Sequence, residues 1–165
     1  MNVTEQQALD DALAAEHAAV YAYGVVAAFA PAQRGEAVAA ATAAHAARRD
    51  AATDALTTDG ATAVPSATGY ALPVTVTDGV TALQLAATVE DATAQAWRAV
   101  LERSDPAAER SGPTVPVPAE VPLDLRTTAV AALTDCAVRA AGWRVALGSV
   151  PATRAFPGQP VTTGG

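Results

Sequence analysis

Apolar residues recur at three- and four-residue steps through four long stretches of this chain, the spacing of one face of an α-helix. The first stretch runs from about Glu5 to Ala30, with Thr4 and Gln7 as a capping box and Pro31 as its stop. Its inner stripe reads Leu9, Leu13, Glu16, Val20, Tyr23 and Ala27. A rival stripe, Leu13, His17, Val20, Gly24 and Ala27, turns His17 inward instead; Leu9 favours the first. A short connection around Pro31 to Gly35 makes the second helix, about Glu36 to Thr57, an antiparallel neighbour of the first. It aligns Val38, Ala41, His45, Arg48 or Arg49, Ala52 and Leu56. The third, about Gly79 to Arg103, has Asp78 as its N-cap and aligns Leu83, Ala87, Glu90, Ala94, Trp97 and Leu101. The fourth, about Leu125 to Leu147, is closed by Gly148 and Pro151. It aligns Val130, Leu133, Cys136 or Ala137, Ala140, Trp143 and Leu147.

The connections add a topology. Residues 58–78 are turn-rich, yet when extended they reach beyond about 60 Å, whereas a helix of about 22 residues is only about 33 Å long. The segment can therefore cross the full length of a bundle between helices two and three. Asp105 to Arg110 reads as a short capped piece, and the proline-rich run 112–122 as an extended surface connector. A bundle over 1–150 and a tail over 151–165 follow, with the tail ending in disorder after Phe156 docks on the bundle. Trp-Arg-x-x-Leu occurs twice, at Trp97 and Trp143. The simplest reading is a Trp plug and a dipole-facing Arg at each helix end.

Composition changes this picture little. About a quarter of the residues are alanine, the best helix former, and all ten basic residues are arginine. A net charge of −7 with no basic patch argues against a nucleic-acid partner. One cysteine, Cys136, excludes an intramolecular disulfide. The acidic start lacks the pattern of a secretory signal, and the charge-free run Ala18 to Ala30 is too short to span a bilayer. The expected setting is cytoplasmic, without a membrane partner.

The candidate chemistry lies in Glu16, His45 and Glu90, three polar residues on otherwise apolar stripes. Inside a core each needs a partner, a proton or a metal. One reading is a reduced Fe, Mn or Zn site of Glu16, His45 and Glu90, with Asp135 as a further carboxylate. The other is a buried polar network in which Arg49 and Arg139 neutralise Glu16 and Glu90 while His45 hydrogen-bonds between them. His17 and Asp50 complete the candidate network partners, His17 as a flanking residue and Asp50 within the Arg48-Arg49-Asp50 ion-pairing run. Tyr21, Tyr23 and Cys136 read as packing residues. No phosphate loop, Ser-His-Asp arrangement or CxxC is present.

With ALDDALAAEHAAVYAYGVV, AHAARRDA, LAATVEDATAQAWR, ALTDCAVRAAGWR and AFPG in view, the chain resembles a ferritin-like family of actinobacterial proteins, the domain of unknown function DUF4439. That resemblance implies an all-α, antiparallel four-helix bundle with one long crossover between helices two and three. Metal-loaded ferritin-like proteins place one Glu on each of two helices and Glu-x-x-His on the other two. Glu16 and Glu90 match the lone glutamates and His45 a histidine, but Thr42 stands where its glutamate should be. Helix four has no histidine; Val138 stands three residues after Asp135. The resemblance therefore implies a degenerate di-iron site in a non-catalytic protein with no required cofactor. A metal-dependent oxidoreductase or metal-handling protein is the alternative. A homodimer is the expected partner state.

Overall fold

A computed structural model describes residues 1–104 and 125–159, so the expectations for 105–124 and 160–165 lie outside the described residues. The described residues form α1 (Val3–Phe29), a 3-10 turn (Ala32–Arg34), α2 (Gly35–Thr58), α3 (Gly79–Arg103) and α4 (Leu125–Ala146), with no strand among them. The helix limits fall within two residues of the sequence expectation.

The start of α1 corrects that expectation. The capping box is Asn2 with Glu5, not Thr4 with Gln7. Asn2 Oδ1 accepts from Glu5 N at 2.9 Å, and Asn2 N donates to Glu5 Oε2 at 2.8 Å. Asn is the stronger cap, and a carboxylate in the first turn also meets the helix dipole. The start of α1 is tied to the end of α2, because the N-terminal amine and Gln6 Nε2 each donate to Asp59 at 2.6 Å. At the other end, Ala30 N closes the last turn on Val26 O and Pro31 bars continuation. Asp78 caps α3 as expected, accepting from Thr81 N at 2.8 Å.

The crossover, residues 59–78, climbs along α1. Val64 N donates to Asp10 Oδ1 at 2.7 Å, and His17 Nε2 donates to Val64 O at 3.2 Å. Higher up, the rings of Tyr21 and Tyr70 meet at 5.5 Å. Leu72, Val74 and Val76 then pack onto the core, and Gly79 opens α3 beside Pro31.

Two apolar clusters result. One gathers the first half of α1, the ends of α2 and α3 and the start of α4, around Leu9, Leu13, Leu56, Trp97 and Ala132. The other gathers the second half of α1 with the first halves of α2 and α3 and the end of α4, around Tyr23, Val38, Leu85 and Trp143. Between them lies the level of Glu16, His45, Glu90 and Cys136, all fully buried. By length and composition α1 is the one described helix that could cross a membrane, a property also found in core helices of soluble proteins. Here its inner face is buried against α2 and α3.

The inner face of α4 differs from the expected stripe. Ala129, Ala132, Cys136, Ala140 and Trp143 are buried, whereas Val130 is half exposed. Small residues let α4 approach α3 closely, with Val130 turned outward while Trp143 stays buried and Leu133 partly so. Phe156 does not dock: it is 67% exposed. The tail is seated instead through Gly158, whose backbone lies so near α3 and α4 that an added Cβ would be 2.8 Å from Ala94 O. Its φ of +77° also favours glycine.

Candidate functional site

Glu16 on α1, His45 on α2 and Glu90 on α3 occupy the level where the apolar stripes of their helices are interrupted, and the imidazole lies between the two carboxylates. Its Nδ1 is 2.7 Å from Glu16 Oε2 and its Nε2 is 3.3 Å from Glu90 Oε1. With both carboxylates ionised, both contacts are hydrogen bonds only if both ring nitrogens carry protons, which makes the ring an imidazolium. Burial opposes that charge, but the hydrogen bonds and charges of Glu16 and Glu90 outweigh it, so the His45 pKa lies above its ordinary 6.5.

Each carboxylate has further donors. Glu16 Oε1 accepts from Arg48 Nε at 2.9 Å and from Trp97 Nε1 at 2.7 Å. Glu90 Oε1 accepts from Tyr23 Oη at 2.5 Å, and Tyr23 Oη in turn accepts from Trp143 Nε1 at 2.9 Å. Burial and the adjacent Glu90 charge push the Tyr23 phenol far up, so it stays a donor. Glu90 Oε2 has no conventional hydrogen-bond partner. The Cys136 thiol lies within reach of the Glu90 carboxylate, and burial together with that charge pushes its pKa well above the ordinary thiol value. Cys136 is therefore an inert S–H group and no nucleophile.

Arg48 connects this layer to the surface. Beyond Glu16, its Nη1 donates to Asp135 Oδ2 at 2.6 Å, and Asp135 also pairs with Arg139 at 2.7 Å one turn along α4. Arg139 Nη1 is within ion-pair range of Asp135 but too poorly aligned for a hydrogen bond, so that contact is chiefly Coulombic. Arg48 Nη2 also lies 3.2 Å from His45 Nδ1. Two donors cannot bond to each other; this is a close approach of two cations that share Glu16. The charges balance, with the Glu16 and Glu90 carboxylates facing the His45 and Arg48 cations, and Asp135 with Arg139 at the rim.

A family profile described as Domain of unknown function (DUF4439) matches residues 8–114. The chain belongs to that family. The DUF4439 match holds Glu16, Tyr23, His45, Arg48, Glu90 and Trp97, while the α4 contributors lie beyond it. A solved structure extends the likeness over α4: a conserved hypothetical protein from Mycobacterium tuberculosis is 39% identical, with a TM-score of 0.76, covering 93% of this chain and 97% of that one. No curated protein matches the chain significantly.

In this DUF4439 chain three of the expected network partners, His17, Arg49 and Asp50, lie outside the layer, and the fourth, Arg139, has another partner than expected. Arg49 pairs with exposed Asp50, its Nε donating to Oδ1 at 2.8 Å, and neither touches the layer. Arg48, one position earlier on α2, takes the place expected of Arg49. Arg139 meets Asp135 and not Glu90, while His17 is bonded to the crossover. Sequence reasoning missed Trp97, Trp143 and Tyr23 as donors, having read them as packing. The available signal was that buried Trp and Tyr nearly always find a partner for their N–H or O–H.

The donor set does not fit a metal. The His45 nitrogens both face carboxylates as donors, Glu16 has three donors, and the Arg48 guanidinium supplies a fixed positive charge inside the layer. Thr42, where a glutamate ligand would stand, uses its hydroxyl on Val38 O of its own helix at 2.8 Å. Val138 is 65% exposed, so the corresponding position on α4 faces away from the core. Among the described residues no group of three or more His, Cys, Asp or Glu is arranged to hold a metal ion.

Proposed function

We propose that the protein is a non-catalytic ferritin-like module in which a salt-bridge layer takes the place of the metal centre. The observation that carries this reading is the His45 ring with both nitrogens engaged by carboxylates, beside the Arg48 cation. The ferritin-like course is supported by the ends that meet: α3 begins beside the end of α1, and Arg126 on α4 donates to Leu101 O and Ser104 O at the end of α3, each at 3.2 Å.

The role of the layer follows from the alanine-rich helices around it. Small, similar side chains pack in several registers at comparable energy, whereas buried charges have one arrangement that satisfies them all. The layer therefore specifies how the four helices align, a use attested for buried polar groups in coiled coils. Its contribution is to specificity more than to net stability.

Metal analysis of untagged protein, before and after loading with Fe(II), Mn(II) and Zn(II), tests the reading. The expected result is no stoichiometric tightly held metal in any state. Tight metal at one or two ions per chain, lost in Glu16→Ala or His45→Ala, would establish the alternative, an Fe, Mn or Zn protein. Glu90 Oε2 is the one oxygen of the layer still open to such an ion.

A further inference from the structure

We propose that the groove between α3, α4 and the returning tail binds a small anionic amphiphile, a medium-chain carboxylate in chemical class. The groove has a volume of about 480 Å³, within the usual range of small-molecule sites at about 300–1,000 Å³. Along α4 its wall runs from Leu133 past Ala137 and Ala141 to Arg144, a rise of about 16 Å. Ala94 and Asp91 line it from α3, and the tail forms the lip.

The tail is fastened on both sides of this space. Arg144 Nη1 donates to Ala152 O at 3.4 Å, and Arg154 Nη2 lies 3.0 Å from Asp91 Oδ2. Beyond the groove, Gly158 sits against Ala94 O and Leu133 Cδ1 at distances that leave no space for a side chain. Thr153, Arg154 and Pro157 of the tail line the cavity, so it is bounded by a seated strap.

The charge at one end identifies the ligand. Arg144 and Arg154 both converge on Asp91 Oδ2, so two guanidinium groups share one carboxylate. Among the described residues the rest of the lining is uncharged, which sets two cations against one carboxylate at that end. A carboxylate head completes the second pairing in the planar geometry that guanidinium favours. Its apolar chain then covers Ala94, Leu133, Ala137 and Ala141. A cationic amphiphile would be repelled, and a neutral one would gain only the apolar contact.

Titration of the full chain with decanoate, decanol and decyltrimethylammonium, followed by calorimetry and amide chemical shifts, tests this site. Decanoate is expected to bind saturably, at least about tenfold tighter than the other two, with shifts at Ala94, Leu133 and Ala141. That ratio corresponds to one charge-assisted hydrogen bond. Arg154→Gln should weaken decanoate about tenfold, and Ala141→Phe should abolish binding by filling the groove. Equal binding of all three amphiphiles overturns the proposal, as do shifts confined to other surfaces or wild-type affinity in Arg154→Gln. The shift pattern of the unsubstituted chain decides the location even if Ala141→Phe does not fold.

Discussion

His45 joins three helices through one ring, and its partners make it costly to disturb. Replacing Glu16 by Gln keeps the shape but removes the carboxylate that His45 and Arg48 share, leaving His45 with Glu90 alone and Arg48 with the rim carboxylate of Asp135. A broken buried pair typically costs about 3–5 kcal/mol, a large part of the about 5–15 kcal/mol total of a domain. Glu16→Gln should therefore lower the urea midpoint sharply, whereas Asp50→Asn, in the exposed pair with Arg49, should shift it by well under about 1 kcal/mol. Equal effects would remove the distinction between layer and surface. Proton linkage gives a second expectation. The His45 pKa is raised in the folded state, so the native chain holds that proton more tightly than the unfolded chain does. The stabilisation is complete below the unfolded value of about 6.5 and is lost as pH rises through the native value. Unfolding free energy should decline above about pH 6.5, and His45→Gln should show a flatter profile. Inward placement of Glu16, His45 and Glu90 was legible because each interrupts an apolar stripe. The choice of Arg48 over Arg49 was not, since adjacent positions flank that stripe equally and only the approach of α4 separates them.

At the scale of elements, helix limits were legible from punctuation: Pro31 after α1 and Asp78 before α3 leave few alternatives. The rotation of α4 was less so. Cys136, Ala140 and Trp143 face inward as expected, but Val130, read as a core position, is half exposed while Ala129 and Ala132 are buried. The tail shows the same preference for small residues. Phe156 looked like the anchor because it is aromatic, but Gly158 makes the close approach. Gly158→Ala should place a methyl against Ala94 O and strain a left-handed backbone. The expected result is rapid proteolysis within 150–159 with little change in the bundle's helical circular dichroism. Unchanged protection of the tail would show that Gly158 does not hold it.

For the whole molecule, the arrangement is apolar, polar, apolar along the bundle axis, with Arg48 leading from the buried layer to the Asp135–Arg139 rim. The reach of residues 58–78 indicated the long crossover, because only an extended segment can return α3 to the end of α1. The donors of Tyr23, Trp97 and Trp143 were hidden, because their partners are distant in sequence and are brought near only by packing. The most direct test of the account is the side-chain nitrogen spectrum of His45, recorded near pH 6.5 with and without one equivalent of Zn(II) or Mn(II). Protons on both Nδ1 and Nε2, unaltered by metal, are the predicted result. A single neutral tautomer, or a ring nitrogen that loses its proton and binds the added metal, would contradict it.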